Sequence, residues 1–250
     1  MGQLAGKIAI ITGAGSGFGT GMAEAYVREG AKIIVADINA EAGERVAKSL
    51  GGNAKAITTD VSNGASVDAM VKACVDTFGV PDVVINNAGT THRNQPLLQV
   101  DEQTFDRVFN VNVKSIYHMT LAVVPLMRAR GKGGLIINVG STAGIRPRPG
   151  LVWYNGSKGA MITITKGMAV ELAPHHIRVN AINPVAGETP LLATFMGEDT
   201  PERRAQFIAS IPLGRFSQPL DIANASLFLA SDEAAMITGA CLEVDGGRCV

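Results

Sequence analysis

Cysteine is scarce in the 250-residue chain, and its three cysteines cannot supply a disulfide framework. Cys74, Cys241 and Cys249 are odd in number and form no C-x-x-C pair, which is typical of proteins in a reducing cytoplasm. The four histidines also lack the spacing to cysteine or acidic residues that metal ligands need. The sequence therefore predicts a cytoplasmic protein without a disulfide scaffold and without a metal.

A net charge of either sign is absent, because Lys and Arg total 22 and Asp and Glu also total 22. With no basic stripe and no acidic tail, the sequence predicts no nucleic-acid partner and no binding to an anionic membrane surface. Long apolar runs are absent as well, so no segment is expected to cross a bilayer, and residues 1–15 do not resemble a signal peptide. A small neutral or weakly charged ligand is the expected partner.

Short apolar runs, each ending in a turn signal, alternate with longer stretches of helical spacing along the chain. Such runs are typical of strands buried on both faces, and their alternation with helices indicates βαβ units. The sequence predicts a single α/β domain over residues 1–250, with a doubly wound parallel sheet of the Rossmann type and helices on both faces. The predicted strands are 7–12, 32–37, 54–59, 82–87, 135–140, 177–182 and 241–247, and the predicted helices are 17–30, 40–51, 66–79, 101–130, 152–173 and 220–231.

The regular alternation stops after residue 183, in a stretch that contains five prolines. This stretch is too long for a simple connection between a strand and a helix, and insertions of that length are often lids or binding loops. Residues 187–213 are therefore predicted to form a substrate lid.

A glycine-rich segment, TGAGSGFG, runs from Thr12 to Gly19 between the first predicted strand and the first predicted helix. Glycines at this junction let the backbone N–H groups of a helix N-terminus approach a phosphate. The spacing is a variant of the dinucleotide fingerprint, because Gly13, Gly17 and Gly19 are present but Phe18 stands where a glycine is usual. A glycine turn with a purely steric role is the alternative.

The acidic residue at the end of the second predicted strand bears on the choice of nucleotide. Asp37 is at the position from which a carboxylate accepts hydrogen bonds from the adenosine ribose, and it would repel a 2′-phosphate. Ser16 occupies the glycine loop at a point where a cation would favour NADP. The sequence therefore predicts NAD, with NADP less favoured. A strand-end or helix-capping role is the alternative for Asp37.

Tyr154 and Lys158 are four residues apart at the start of a predicted helix. Residues at this spacing lie on one face of a helix, so the ammonium group is expected to favour the phenolate of the tyrosine. A surface helix with a solvated lysine is the alternative for the pair taken alone. Ser141 follows the fifth predicted strand, at the edge where ligands of open α/β sheets bind, and its hydroxyl can donate to a carbonyl oxygen.

These motifs occur in an order that resembles the short-chain dehydrogenase/reductase family over essentially the whole chain. The resemblance implies that Tyr154 is the catalytic acid/base and that Ser141 orients and polarises the substrate oxygen. It also implies that Lys158 binds the nicotinamide ribose and lowers the pKa of the tyrosine, while Asn112 holds a water in a proton relay. The residues that carry the resemblance are Thr12-Gly13-x-x-x-Gly17-x-Gly19, Asp60, Asn86-Asn87-Ala88-Gly89, Asn112, Ser141, Tyr154-x-x-x-Lys158 and Asn183-Pro184.

The same resemblance assigns residues to a nicotinamide cofactor. Asp60 and Val61 would contact the adenine, and Thr189 would reach the nicotinamide carboxamide. Val185 departs from the family pattern, in which glycine follows Asn-Pro, and its branched side chain is expected to narrow the space beside the nicotinamide. The implied cofactor-binding residues are Gly13, Ser16, Gly17, Phe18, Gly19, Asp37, Ile38, Asp60, Val61, Asn87, Ala88, Gly89, Tyr154, Lys158, Pro184, Val185 and Thr189.

Residues and resemblance together predict an NAD-dependent oxidoreductase that interconverts a secondary alcohol and a ketone, with an alcohol, sugar or hydroxy acid as substrate. A 3-oxoacyl-thioester (acyl-carrier-protein) reductase that uses NADPH is the alternative within the family, and a non-catalytic dinucleotide-binding scaffold is the alternative of another class. The resemblance also implies a homotetramer or a homodimer. Arg93, Arg146 and Arg148 border the predicted substrate side, where they either pair with an anionic group or face solvent or a subunit interface.

Overall fold

The structure is a computed structural model that describes residues 2–250. That part of the chain forms one seven-stranded sheet in which every neighbouring pair of strands is parallel. Each predicted apolar run forms a strand, and the central strands such as β1 and β4 bury almost every residue, as apolar runs do in a parallel sheet, whereas the edge strands β3 and β7 are partly exposed. The strands are β1 (Ile8–Thr12), β2 (Lys32–Asp37), β3 (Ala54–Thr58), β4 (Val83–Asn86), β5 (Gly134–Val139), β6 (Ile177–Pro184) and β7 (Cys241–Val244).

The strand order is β3-β2-β1-β4-β5-β6-β7, so the direction of winding reverses beside β1, which pairs with β2 on one side and β4 on the other. The predicted doubly wound parallel fold is thereby confirmed. Ile10 of β1 is in register with Ile34 of β2 and Val84 of β4, which brings the carboxyl ends of these strands to one edge of the sheet. In open α/β sheets a ligand crevice forms at this edge, where the order reverses.

Helices cover both faces of the sheet. Two hydrophobic cores therefore form, one on each face of the sheet, and alternate residues of β1 point into them. Ile11 packs in one core with Tyr26, and Ile10 packs in the other with Met70. Across residues 2–250, no helix combines the length and the apolar character that a membrane crossing requires. The α-helices of this part of the chain are α1 (Gly17–Arg28), α2 (Ala40–Leu50), α3 (Gly64–Thr77), α4 (Glu102–Phe109), α5 (Ser115–Arg130), α6 (Val152–Leu172), α7 (Leu192–Met196), α8 (Pro201–Ala209) and α9 (Pro219–Ala230).

The stretch 101–130 is predicted as one long helix, and the structure shows that it is divided. A π-helical segment, Asn110–Lys114, separates α4 from α5. Asn112 lies in this segment without solvent exposure, and its side chain forms hydrogen bonds with the backbone of Thr90. A π-helical turn within a helix occurs most often at a functional site, and apolar periodicity alone does not reveal it.

The predicted lid, residues 187–213, is more regular than the sequence suggested, because it contains α7 and α8. A parallel bridge joins Gly187 to Ser217, so the lid starts and ends at neighbouring points above the sheet. Val185 is only 4% exposed, because its side chain belongs to the core beneath the lid. That core consists of Val185, Leu192, Met196, Ile211 and Phe216.

Candidate active site

A cavity of about 690 Å³ lies along the carboxyl edge of the sheet. Its walls come from the segments that follow β1, β2, β3, β4, β5 and β6, because parallel strands bring these segments to the same edge. Most of the residues assigned from sequence to the cofactor and to catalysis line this one space. They are Gly13, Ser16, Gly17, Phe18, Asp37, Ile38, Asp60, Val61, Asn87, Ala88, Gly89, Ser141, Tyr154, Lys158, Pro184, Val185 and Thr189.

Gly19 and Asn112 are the two predicted site residues that do not line the cavity. A Cβ on Gly19 would collide with the carbonyl oxygen of Gly13, so this glycine serves close packing within the loop, and its cofactor contact stays a prediction. The Asn112 Oδ1 accepts from the Thr90 N–H at 2.8 Å, and its Nδ2 donates to the Thr90 carbonyl and to Ser157 Oγ, both at 2.9 Å. The amide of Asn112 is thus fully engaged by the protein.

The glycine loop is held open by hydrogen bonds from the segment after β4. The Thr12 Oγ1 accepts from the N–H groups of Asn87 and Ala88, each at 3.0 Å. The Asn87 side chain in turn donates to the carbonyl oxygens of Thr12 and Gly13, at 2.8 and 3.1 Å. Ser16 precedes α1 and makes no side-chain capping bond, which leaves N–H groups of the first helical turn available to an anion. This arrangement fits a dinucleotide pyrophosphate.

Substitution of Gly19 by alanine is expected to destabilise the protein by about 1–3 kcal/mol, because the added methyl group overpacks the loop against backbone. The distortion should also weaken NADH binding. Gly167→Ala is the matched control, since Gly167 lies within α6 with nothing near its Cβ position, and it should stabilise by about 0.5–1 kcal/mol. Urea unfolding and NADH fluorescence titration measure both effects. Equal stability of the two variants would contradict this packing role.

Two carboxylates of the cavity wall are held in place by backbone N–H groups. The Asp37 Oδ2 accepts from the Gly15 N–H at 2.8 Å, and its Oδ1 accepts from the Asn39 N–H at 2.9 Å. The Asp60 Oδ1 accepts from the N–H and hydroxyl of Ser62, at 2.9 and 2.7 Å. Asp37 thus has the strand-end role that was its alternative, whereas Asn39 caps α2, and the same bonds fix the Asp37 carboxylate at the cavity wall.

Ser141, Tyr154 and Lys158 come together from β5 and α6. The Ser141 Oγ accepts from the Ala143 N–H at 3.1 Å, so the hydroxyl proton remains available to another acceptor. Tyr154 is 5% exposed, and its ring packs edge-on against Phe195 at 5.0 Å between centroids. Lys158 is 4% exposed, and its Nζ donates to a β5 carbonyl, that of Val139, at 2.8 Å.

Burial controls the acidity of this pair. It raises the pKa of Tyr154 to about 12, although a hydrogen bond with Ser141 acts in the opposite direction. Burial also lowers the pKa of Lys158 to about 8. The Nζ lies 5.9 Å from the centroid of the tyrosine ring. The sequence predicted a lowered pKa for Tyr154 because of the lysine charge, whereas the net shift is upward because removal from water disfavours the phenolate more strongly.

The three arginines considered from sequence occupy different surroundings. Arg93 is exposed and does not line the cavity. Arg146 is also exposed, and its Nη1 donates to the carbonyl oxygen of Arg248 at 2.6 Å. Only Arg148 lines the cavity. Further lining residues that sequence reasoning missed include Arg107, Phe195 and Phe207, and no local pattern marks them because they reach the cavity from α4 and the lid.

Comparison with known proteins identifies the family. A family profile described as enoyl-(acyl carrier protein) reductase matches residues 13–248. The chain is 51% identical over 246 residues to 4-formylbenzenesulfonate dehydrogenase from Comamonas testosteroni, with 97% of each chain covered. The protein belongs to the short-chain dehydrogenase/reductase family. The resemblance inferred from the sequence motifs is confirmed.

The chain is also similar to other members of the short-chain dehydrogenase/reductase family. Galactitol 2-dehydrogenase from Agrobacterium fabrum is 40% identical over 253 residues, with 98% of each chain covered. A crystal structure of a 3-ketoacyl-(acyl-carrier-protein) reductase from Brucella melitensis, complexed with NADH, is 48% identical and superposes with a TM-score of 0.94 over 99% of this chain and 100% of that chain. The protein is thus an oxidoreductase of this family, with relatives of both the dehydrogenase and the reductase kind.

Proposed function

We propose that this short-chain dehydrogenase/reductase is an NAD-dependent enzyme that interconverts a secondary alcohol and a ketone. The observation that supports the proposal most directly is the shared cavity, because Ser141, Tyr154 and Lys158 line the same space as the glycine loop and Asp37. This reaction requires an acid/base group and a binding site for a dinucleotide, and both are found in this one cavity.

The cofactor assignments follow from the geometry of the glycine loop, the start of α1 and Asp37, which fits a dinucleotide. The glycine loop and the start of α1 would hold the pyrophosphate, and Asp37 would accept hydrogen bonds from the adenosine ribose. Lys158 would bind the nicotinamide ribose, and Thr189 would reach the carboxamide. When bound, the nicotinamide donates or accepts the hydride. The methyl group of Thr189 lies against Gly17, so the beginning of the lid already contacts the glycine loop.

Proton transfer is assigned to the Tyr154 hydroxyl. Because its pKa is raised to about 12, the phenol is protonated at neutral pH and is ready to donate to a carbonyl oxygen during reduction. Ser141 would donate its hydroxyl proton to the same substrate oxygen and share the charge that develops there. In the oxidative direction the tyrosine must first lose its proton, and a protonated Lys158 close by would favour that form.

Asn112 receives a positioning role in this proposal. Its side chain joins the segment after β4, through Thr90, to Ser157 of α6, the residue before Lys158. These bonds hold the lysine-bearing turn of α6 against the cavity wall. A proton relay through a water held at Asn112 stays a prediction, as do the homotetramer or homodimer and the cytoplasmic location.

Asp37→Asn is expected to shift the preference from NAD toward NADP by about tenfold or more, because the change removes the charge that repels a 2′-phosphate while keeping the size of the side chain. The ratio of kcat/KM with NAD to that with NADP measures the shift. Glu41→Gln is the charge-matched control, since Glu41 is exposed in the first turn of α2 and does not line the cavity. An unchanged ratio in Asp37→Asn would remove this residue from the ribose contact.

A second candidate is a 3-oxoacyl-thioester reductase that uses NADPH, and the name of the Brucella melitensis structure favours it. Acetoacetyl-CoA reduction, assayed with NADH and NADPH beside a panel of secondary alcohols, sugars and hydroxy acids with NAD and NADP, separates the candidates. Faster turnover of the thioester with NADPH would replace the proposal by this alternative. Tight dinucleotide binding without any turnover would instead support the non-catalytic scaffold.

A further inference from the structure

Arg146, Arg148 and Arg248 lie close together beside the cavity, and Arg248 is separated from the other two by about a hundred residues in the sequence. Arg146 donates from Nη1 to the backbone of Arg248, at 2.6 Å. Arg148 lines the cavity itself. Burial lowers the pKa of Arg148, and charge repulsion from Arg248 and Arg146 lowers it further, to about 10. The Arg148 guanidinium is therefore positively charged at neutral pH.

This cluster forms no ion pair with an acidic residue in the part of the chain that the structure describes. None of the ion pairs among residues 2–250 includes Arg146, Arg148 or Arg248. Arg248 is only 8% exposed, and its Nε and Nη1 are buried without a hydrogen-bond partner. Burial lowers the pKa of Arg248 and the Asp245 carboxylate acts to raise it, whereas no carboxylate of the described chain pairs with Arg148, the member of the cluster that lines the cavity. Buried cations are normally paired, so the unpaired Arg148 guanidinium attracts an anion.

The protein holds the Arg148 side chain in a defined place. Its guanidinium stacks on the Phe207 ring of α8, with Cζ 4.2 Å from the ring centroid, and its Nη2 donates to Ser210 Oγ at 3.2 Å. Its backbone carbonyl accepts from the Asn155 side chain at 2.8 Å, and Asn155 directly follows Tyr154 on α6. The backbone of Arg148 is thus tied to the turn that bears Tyr154. Its guanidinium is held by Phe207 and Ser210, and the other guanidinium N–H donors have no protein acceptor in the described chain.

We propose that Arg148 binds an oxyanion of the substrate, a carboxylate or a sulfonate, while Ser141 and Tyr154 engage the reacting oxygen of the same molecule. The inference rests on the proposed function, because it names the substrate class of that site. A planar guanidinium pairs with two oxygens of such a group at once, which fixes orientation as well as position. Leu151, Phe195 and Phe207 line the cavity with these polar groups, so the body that joins the two ends is apolar.

A matched pair of unreactive probes tests this site by binding alone. Benzoate and benzamide have nearly the same shape, and only benzoate carries a charge. Isothermal titration calorimetry of the full chain, with and without NADH, should show that benzoate binds at least about tenfold more tightly than benzamide, as a charge-assisted bond requires. Arg148→Gln should abolish this preference, and Arg148→Lys should retain part of it because the charge remains without the planar fork.

Arg93→Gln is the control, since it removes the same charge from an exposed residue outside the cavity and should keep the full preference. Thermal melting of each variant establishes that it folds. Equal affinity for the two probes in the parent protein, or an unchanged preference in Arg148→Gln, would overturn the inference. A large loss of NADH affinity in Arg148→Gln would also overturn it, because the arginine would then serve the cofactor.

This readout is independent of the proposed reaction. An absence of turnover with every alcohol and carbonyl compound would contradict the proposed function while a benzoate preference that depends on Arg148 would still support the anion site. Rapid turnover of uncharged substrates without any benzoate preference would support the function and refute the anion site.

Discussion

Tyr154→Phe is expected to lower kcat by a factor of about 10² to 10⁴, the usual contribution of a positioned acid/base group. The substitution removes the hydroxyl to which proton transfer is assigned, and it keeps the ring that packs against Phe195. Steady-state kinetics with the best substrate of the panel measures the loss. Activity within threefold of the parent would remove Tyr154 from its assigned role.

Two further measurements separate a chemical loss from a structural one. NADH affinity in Tyr154→Phe should remain within about threefold of the parent, since the glycine loop and Asp37 are unchanged. The free energy of unfolding should change by only about 1 kcal/mol, the typical value of one hydrogen bond, because only the bond with Ser141 is lost. Tyr117→Phe is the matched control, since Tyr117 is 58% exposed on α5 and should lose no activity.

Lys158→Met is expected to impair catalysis and to change the pH dependence of stability. The pKa of Lys158 is about 8 in the folded chain and has an ordinary value of 10.5. Below pH 8 both the folded and the unfolded chains carry the ammonium, so its burial opposes folding by on the order of 3 kcal/mol. Between pH 8 and 10.5 the unfolded chain binds more protons, and the parent protein should gain stability as the pH rises.

Methionine removes this titration, so the stability of Lys158→Met relative to the parent should be greatest near pH 7 and should decline toward pH 10.5. The methionine also leaves the Val139 carbonyl without its donor, which offsets part of the gain equally at every pH. Thermal or urea unfolding at pH 7 and pH 10 measures the trend. Lys166→Met is the control, because Lys166 is exposed on the same helix and should show no such dependence.

Lys158→Met should also shift the pH dependence of kcat/KM in a definite direction. Without the ammonium group, burial raises the pKa of Tyr154 and only the hydrogen bond with Ser141 opposes it. Oxidation requires the deprotonated phenol, so the ascending limb of kcat/KM against pH should move to higher pH, together with a lower rate at neutrality. If the rate falls but the ascending limb of kcat/KM stays at the same pH, Lys158 does not act on the tyrosine pKa, and its role would be to bind the nicotinamide ribose.

Prediction from sequence succeeded where the information is local. The strands were found as apolar runs, and β2 even has the predicted bounds, because burial on both faces demands apolar residues in an unbroken row. Helix geometry alone places Tyr154 and Lys158 on one face. The parallel arrangement then required the residues after each strand to meet at one edge, which is why the glycine loop, Asp37 and Ser141 line one cavity.

The features that the sequence does not reveal are contacts between distant parts of the chain. Residues 101–130 are predicted as one continuous helix, and the structure gives Asn112 a π-helical turn and three hydrogen bonds to Thr90 and Ser157. Gly19 packs against the backbone of Gly13 across the loop. Neither feature follows from residue spacing, because each depends on which atoms the fold brings within a few ångströms.

The sequence by itself determined the strand and helix order, the glycine-loop junction and the tyrosine–lysine pair, since each depends on neighbours within a few residues. Tertiary structure alone decided the direction of the Tyr154 pKa shift, because desolvation comes from remote residues such as Phe195. It also decided that Arg148 and Arg248 share one region, since the strand order β5-β6-β7 brings the segment after β5 near the turn after β7.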